Sequence, residues 1–415
     1  MEKLIHKYID KLEAQGLATK NNVVFLALDA ELFSNAPIEG DVLNLPKIFD
    51  LIEANSLLFA EPAEPYRSII REIVVDRPEV FSREIIVCDA SKIVPLDCET
   101  RTFFHDIPLV DDPFPENMAK ALSSRKSAIV RDRWVVTHGL ITPEQSFISF
   151  SSVCFAIFVK YFYDSLIYLE KCCLGNRSPD GEFLKNFNRI SSYVMDDSGT
   201  AQSAREMPHM LTQGPPKKEE EIFTMIAQAG RAVVDHHLVD SYFGNISYTH
   251  DDTMYISQTG SSMDELENHI DAVPLDKSSS VGITASSEFS AHRAIYEETG
   301  HHAILHGHPK FAVVMSMHCL KEGCDRSSCH RLCKEKRHVC GIPVVSGEIG
   351  TGPTGLMHTV PPAMNEGRGG IVCGHGVFTS GNDDFRQPFD MLLEIETKCR
   401  DQFFRTVRRY VGLLK

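Results

Sequence analysis

Apolar residues recur at helical spacing from the first position onward. In MEKLIHKYIDKLEAQG (residues 1–16) they alternate with charge and predict an amphipathic helix with no apolar core of signal-peptide length. The same period returns over residues 217–237, with apolar positions at Ile222, Met225, Ile226, Ala229 and Val233. Glu219, Glu220 and Glu221 stand near its start, where the helix dipole favours negative charge. The longest apolar stretch, FISFSSVCFAIFVKYFYDSLIYL (147–169), is broken by Lys160, Asp164 and several serines, and reads as a buried helix rather than a membrane span. Shorter apolar runs, EIIVCDA (84–90) and AILHGH (303–308), read as strands, and YFGNIS (242–247) and YISQTGSS (255–262) as strand–turn pieces.

This patterning stops at residues 196–220, a polar run holding Gly-Pro-Pro, which marks 196–217 as a linker between domains at 1–195 and 218–415. A length of 415 residues is too great for one ordinary core and agrees with two domains. One echo joins the halves. RDRWVVTHGLIT (131–142) resembles GRGGIVCGHGVFT (367–379) when His138 is laid on His375, each an apolar strand ending in His-Gly before a long helical stretch. A duplicated fold is the reading we carry forward.

Composition changes this picture little. Hydrophobic residues make up 43% and charged residues 24%, as in soluble globular proteins, and the formal net charge of −15 argues against nucleic acid or an anionic membrane as partner. A small anion is still admissible, because backbone N–H groups can hold a phosphate locally. Twelve cysteines suggest reduced thiols or metal ligands, and hence a cytoplasmic setting, more than a disulfide framework.

Candidate chemistry gathers in the second half. His306 and His308 are two apart on a strand, so both face one side and can chelate one metal through neutral imidazoles. Two ligands are too few, and His375, after another apolar strand, offers a third. Ser286, Ser287 and Glu288 open a helix carrying His292, where hydroxyls and N–H groups could meet an anion; a plain N-cap explains the serines equally well. The Gly244-Asn245 and Thr259-Gly260 steps could bring backbone amides together as a phosphate nest, though both dipeptides are ordinary in turns.

Taken in order, the GNIS segment, the Thr-Gly turn, SSE before a helix, HGHP and a distant strand ending in His-Gly resemble the class II aldolase/adducin family over residues 218–405. The resemblance implies an α/β/α layered domain around a mixed, largely antiparallel sheet, and the His138 echo adds the expectation of a degenerate copy of the same fold before it. It implies that His306, His308 and His375 are zinc ligands, that Glu288 is the acid/base carboxylate, and that Gly244, Asn245, Thr259, Gly260, Ser286 and Ser287 line a substrate-phosphate pocket. The reaction it implies is metal-dependent lysis of a carbon–carbon bond in a small sugar phosphate, through a metal-stabilised enediolate. Sugar-phosphate epimerisation, dehydration and decarboxylation share the fold, and an adducin-like binding module is the non-catalytic alternative. Relatives are homo-oligomers, so a dimer of two-domain chains or a tetramer is expected, with the first half walling a neighbouring site.

Two features depart from the family. Residues 318–340 form a Cys-rich insertion in which Cys324, Cys329, Cys333 and Cys340 could hold a second zinc ion or an iron–sulfur cluster, although the spacing matches no standard pattern. Disulfides and unpaired thiols are the alternatives. The first half has no paired histidines near its 84–90 strand, leaving His138 alone; a copy there would be metal-free. His301 and His302 fall on no ligand position and are read as solvent-facing or interfacial.

Overall fold

Helical periodicity and burial coincide in the first unit. Helix α1 (Glu2–Ala14) turns Ile5, Tyr8, Ile9 and Leu12 inward, and strands β1 (Ala18–Leu28), β2 (Leu32–Ser34) and β3 (Ser56–Pro62) follow it. Next come α2 (Tyr66–Val74), β4 (Lys92–Ile93), α3 (Cys98–Phe104), β5 (Ile107–Val110), α4 (Pro115–Leu122), β6 (Ser127–Val130) and β7 (Trp134–Gly139). The unit closes with α5 (Pro143–Leu174) and α6 (Gly181–Met195). Helix α5 is long and apolar enough to cross a membrane, yet 89% of its apolar window is buried inside the unit, where Lys160 ion-pairs with Asp164 at 2.7 Å.

The second unit runs α7 (Glu219–Asp235), β8 (Asn245–His250), β9 (Thr253–Ser257), β10 (Ile270–Pro274), α8 (Phe289–Thr299), β11 (Ala303–Gly307) and α9 (Lys310–Met317). It ends with β12 (Arg337–Val339), β13 (Ile342–Val345), α10 (Leu356–Gly367), β14 (Gly369–Val372), β15 (Val377–Gly381) and α11 (Arg386–Leu413). This computed structural model describes all residues except 76–78, 82–91, 196–210, 241, 277, 279, 322–323, 325–327, 334 and 414–415. The chain divides into Met1–Asp196 and Asp197–Leu413. The expected 84–90 strand, with most of the expected linker, lies outside the described residues.

Both sheets are mixed and largely antiparallel, and their topologies match. The second is ordered β10-β9-β8-β11-β15-β14-β13-β12, with β13–β14 its parallel pair. The first is ordered β2-β1-β3-β7-β6-β5-β4, with β5–β6 parallel. Removing the edge strand β10 makes order and sense the same. Details agree too. Thr379 Oγ1 donates to the Pro388 carbonyl nine residues on, at 2.9 Å, and Thr137 Oγ1 does so to Ser146 at 2.8 Å. The β14–β15 and β6–β7 turns each hold a left-handed residue, Gly374 (φ 65) and Asp132 (φ 55).

This pairing corrects the echo. Ser127 opposes Thr137 as Gly369 opposes Thr379, and Ser56 opposes Gly139 as Ala303 opposes Gly381. His138 therefore corresponds to Ser380, and His375 to Arg133. A shared His-Gly dipeptide had aligned a strand residue with a turn residue, whereas ladder hydrogen bonds set the true register. By the same register Phe59 and Glu61 stand where His306 and His308 do. The first-unit positions equivalent to the three expected metal ligands thus carry Phe, Glu and Arg.

Packing in the second unit puts α8 and α10 on one face of the sheet, where Ala291, Ile295, Leu356, Val360 and Met364 meet Ile304, Val372 and Phe378. Strand alternation sends His306 to the same face as Ile304.

Candidate metal centre

Three neighbouring strands build the site. Pairing of β8 with β11 sets Asn245 opposite His306, and pairing of β11 with β15 sets Phe378 on its other side. The His306 ring stacks on Phe378 with centroids 4.1 Å apart, and its Nδ1–H donates to the Val377 carbonyl at 3.1 Å. That bond chooses the tautomer and leaves Nε2 as the lone-pair nitrogen. His308, just beyond β11, brings its Nε2 to 3.0 Å from that of His306. His375 stands in the β14–β15 turn, whose backbone closes through Val372 N–H to Gly376 C=O at 2.8 Å. The ligand nitrogens of all three lie within 4.8 Å of one another.

Glycines permit this approach. A Cβ on Gly376 would lie 2.6 Å from the Gly307 oxygen and 2.8 Å from His306 Cε1. At Gly244 (φ +91) it would lie 2.4 Å from the His306 oxygen.

Burial lowers the proton affinity of every imidazole here, to about 3 for His306, to about 4 for His375 and well below the ordinary value for His308. All are neutral at physiological pH, the state that ligates metal. Glu288, just ahead of α8 and 3% exposed, completes the cluster. Its Oε2 lies 3.4 Å from His306 Nε2, and its Oε1, 3.6 Å from His375 Nε2, has no hydrogen-bond partner. Burial raises its pKa, while the neighbouring His375 and the Asn245 amide pull the other way. An unsatisfied buried carboxylate oxygen is costly, and a divalent cation among the histidines offsets that cost. Two nitrogens bound to one cation at about 2.1 Å would stand near the observed 3.0 Å spacing. The donor set fits a zinc-type ion.

Behind the cluster runs a buried chain of hydrogen bonds. Asn245 Nδ2 donates to Glu288 Oε2 at 2.7 Å, His292 Nε2 donates to Asn245 Oδ1 at 2.5 Å, and the Ser247 hydroxyl donates to His292 Nδ1 at 2.7 Å. The carboxylate accepts, so the Asn245 orientation, and with it the His292 tautomer, is determined. His292 orients Asn245. Its position four residues after Glu288, one turn on, was the available signal.

The proposed phosphate-pocket residues gather more loosely. Thr259 N–H bonds the Thr284 carbonyl at 2.9 Å and Ser286 N–H that of Ser257 at 3.1 Å, which draws the Thr259-Gly260 turn beside the SSE segment. Thr259, Gly260 and Ser287 are exposed. Ser286 is buried, and its Oγ accepts the Glu288 N–H at 3.3 Å in a turn just ahead of α8, whose N-cap is Glu288. Asn245 is buried too, its amide engaged by Glu288 and His292.

Other expectations need correction. His301 and His302 are half-buried and bonded within the unit, to Ser380 Oγ at 2.8 Å and the Thr249 carbonyl at 2.7 Å. The four candidate thiols do not converge. Among the described residues, the three histidines form the group at metal-ligating separation. Cys329 senses Cys333, Cys373 and Cys324, whereas Cys340 faces Cys399 on α11. The cause is β12, which carries Cys340 away from the loop to the sheet edge. Sequence reading also missed Glu396 of α11, which accepts the Phe311 and Ala312 N–H groups at 2.9 Å each and caps α9 directly after His308.

Residues 224–403 match the family described as Class II Aldolase and Adducin N-terminal domain. This segment is a class II aldolase/adducin domain. Solved structures similar to it include L-fuculose-1-phosphate aldolase from Thermus thermophilus, at 23% identity and TM-score 0.38, over 47% of this chain and 98% of that one. YgbL of Klebsiella pneumoniae, a putative aldolase/epimerase/decarboxylase, follows at 22% and 0.36, over 46% and 91%. A sugar-phosphate aldolase from Thermotoga maritima shows 19% and 0.34, over 45% and 94%. No curated protein matches.

Proposed function

We propose that the aldolase/adducin domain is a divalent-metal-dependent lyase that cleaves or forms a carbon–carbon bond in a small phosphorylated hydroxy-carbonyl compound. The observation that carries this reading is the buried trio His306, His308 and His375 with an unsatisfied carboxylate oxygen of Glu288 beside it. These histidines would hold the ion, which when bound supplies Lewis acidity to a substrate's carbonyl and hydroxyl oxygens. Glu288 moves the proton: burial raises its pKa, as suits a carboxyl that both takes up and gives back a proton. The chain from Ser247 through His292 and Asn245 keeps Oε2 engaged and Oε1 directed at the histidines. The exposed Gly260 N–H and the Thr259 and Ser287 hydroxyls receive the phosphate.

Epimerisation or decarboxylation would use the same residues, and YgbL is described in those terms. An adducin-like binding module is disfavoured by three buried imidazoles converging at metal-ligating separation beside a buried carboxylate. The test is metal content followed by a substrate screen beginning with L-fuculose 1-phosphate. We expect about one transition metal per chain, lost in His308→Ala, and metal-dependent release of a three-carbon phosphate. Protein that neither contains nor takes up zinc, manganese, iron or cobalt would overturn the reading.

A further inference from the structure

Outside the metal centre, one pair of thiols stands apart from the rest of the Cys-rich segment. Cys340 occupies the turn between β12 and β13 at the edge of the sheet, in a left-handed conformation (φ 53). Its sulfur lies 3.3 Å from the Lys398 carbonyl, beside the thiol of the next residue, Cys399, which is fully buried on α11. On its other side Cys340 lines a surface cavity of about 380 Å³ together with His318, Cys319, Arg337, His338 and Gln402. A solute can reach Cys340, then, while Cys399 waits behind it.

The surroundings favour a thiolate at the accessible position. The neighbouring Cys399 thiol, Lys398 and Arg405 outweigh burial and Asp401 and bring the Cys340 thiol down to about 7. Cys399 is pushed the opposite way, by the Cys340 thiol and by burial. Burial and neighbouring thiols push Cys329 up to about 11, and burial raises Cys373.

We propose that Cys340 is a hydroperoxide-reactive thiol and that Cys399 resolves it into an intrachain disulfide. The Cys340 thiolate attacks one oxygen of the hydroperoxide; the O–O bond breaks, sulfur gives up two electrons, and the alcohol or water leaves with a proton. The Cys399 sulfur then attacks the resulting sulfenic acid, the S–O bond breaks, and water departs with the Cys399 proton. Two thiols and one hydroperoxide become one disulfide, one alcohol or water, and one water. A small-molecule dithiol reverses the change. The bond would tie the sheet edge to α11 one turn after Glu396, the residue that caps α9.

The test uses the reduced full-length protein. Hydrogen peroxide is added at a few equivalents, remaining thiols are alkylated, and the cysteines are mapped by mass spectrometry. The expected product is a Cys340–Cys399 disulfide formed ahead of any other oxidation, with Cys399→Ala trapping a dimedone-reactive Cys340. Without peroxide, at pH 7, Cys340 should alkylate about threefold faster than an ordinary thiol: its thiolate fraction is about 16-fold larger, offset about fivefold by lower nucleophilicity. Pairing of Cys340 with Cys329 or Cys333 instead, or a Cys399 that stays reduced while Cys340 is oxidised, overturns the proposal. Mapping on the unaltered chain keeps this outcome independent of whether a variant folds.

Discussion

At the scale of single residues, Glu288 and Gly376 bear most directly on the chemistry. Glu288 lies within 3.6 Å of the Nε2 atoms of His306 and His375; on the proposed reading the three histidines hold the ion and Glu288 moves the proton, so Glu288→Gln should retain metal and lower turnover on the order of a hundred-fold or more. Full activity in that variant would remove the acid/base assignment. Gly376→Ala would place a methyl group against His306 Cε1 and the Gly307 oxygen. Displacing a ligand ring in this way should weaken metal binding by about 10–100-fold, measured by competition with a chelating dye; unchanged affinity would mean the turn gives way. Glu288 stood out in the sequence because it belongs to a short motif, whereas Gly376 was not singled out. His292 was marked only by its place one turn after Glu288, since spacing alone does not distinguish a packing imidazole from one that sets an amide. Its role is defined by contacts at 2.5 and 2.7 Å with residues 45 or more positions away.

Among the elements, the α9–α11 contact is the one to test. Glu396 accepts two N–H groups at the first turn of α9, immediately after the ligand His308 and Pro309. Glu396→Ala should cost about 1–2 kcal/mol of stability and speed amide exchange at Phe311 and Ala312 specifically. Uniform exchange across α9 would show that the cap is dispensable. Helices α1, α5 and α7 were legible from periodicity, because each buries one stripe or is buried all round. The equivalence of β7 with β15 was legible only in outline. Two residues in His-Gly suggested an alignment five positions away from the one that the ladder hydrogen bonds impose.

Over the whole molecule, the four buried imidazoles of His292, His306, His308 and His375 govern the response of the metal-free protein to acid. Their folded values lie well below the ordinary 6.5, so below that pH the unfolded chain takes up protons that the folded chain refuses. Stability is then lost as pH falls from 6.5 toward 4, by up to about 1.4 kcal/mol per pH unit for each imidazole. Glu288, raised by burial, acts oppositely, costing stability as pH rises past its ordinary 4.5. Thermal unfolding of chelator-treated protein between pH 7.5 and 5 should show a falling midpoint; a flat profile would mean that the histidines are not held neutral. The sequence by itself determined which residues could bind a metal and how the domain is layered, because ligand spacing on a strand and apolar period are local properties. Tertiary structure decided which first-unit residues occupy the ligand positions, that Asn245 and His292 serve Glu288, and that Cys340 leaves its neighbours for Cys399. Those outcomes depend on strand register and on contacts between segments far apart in the chain, and no local pattern encodes them.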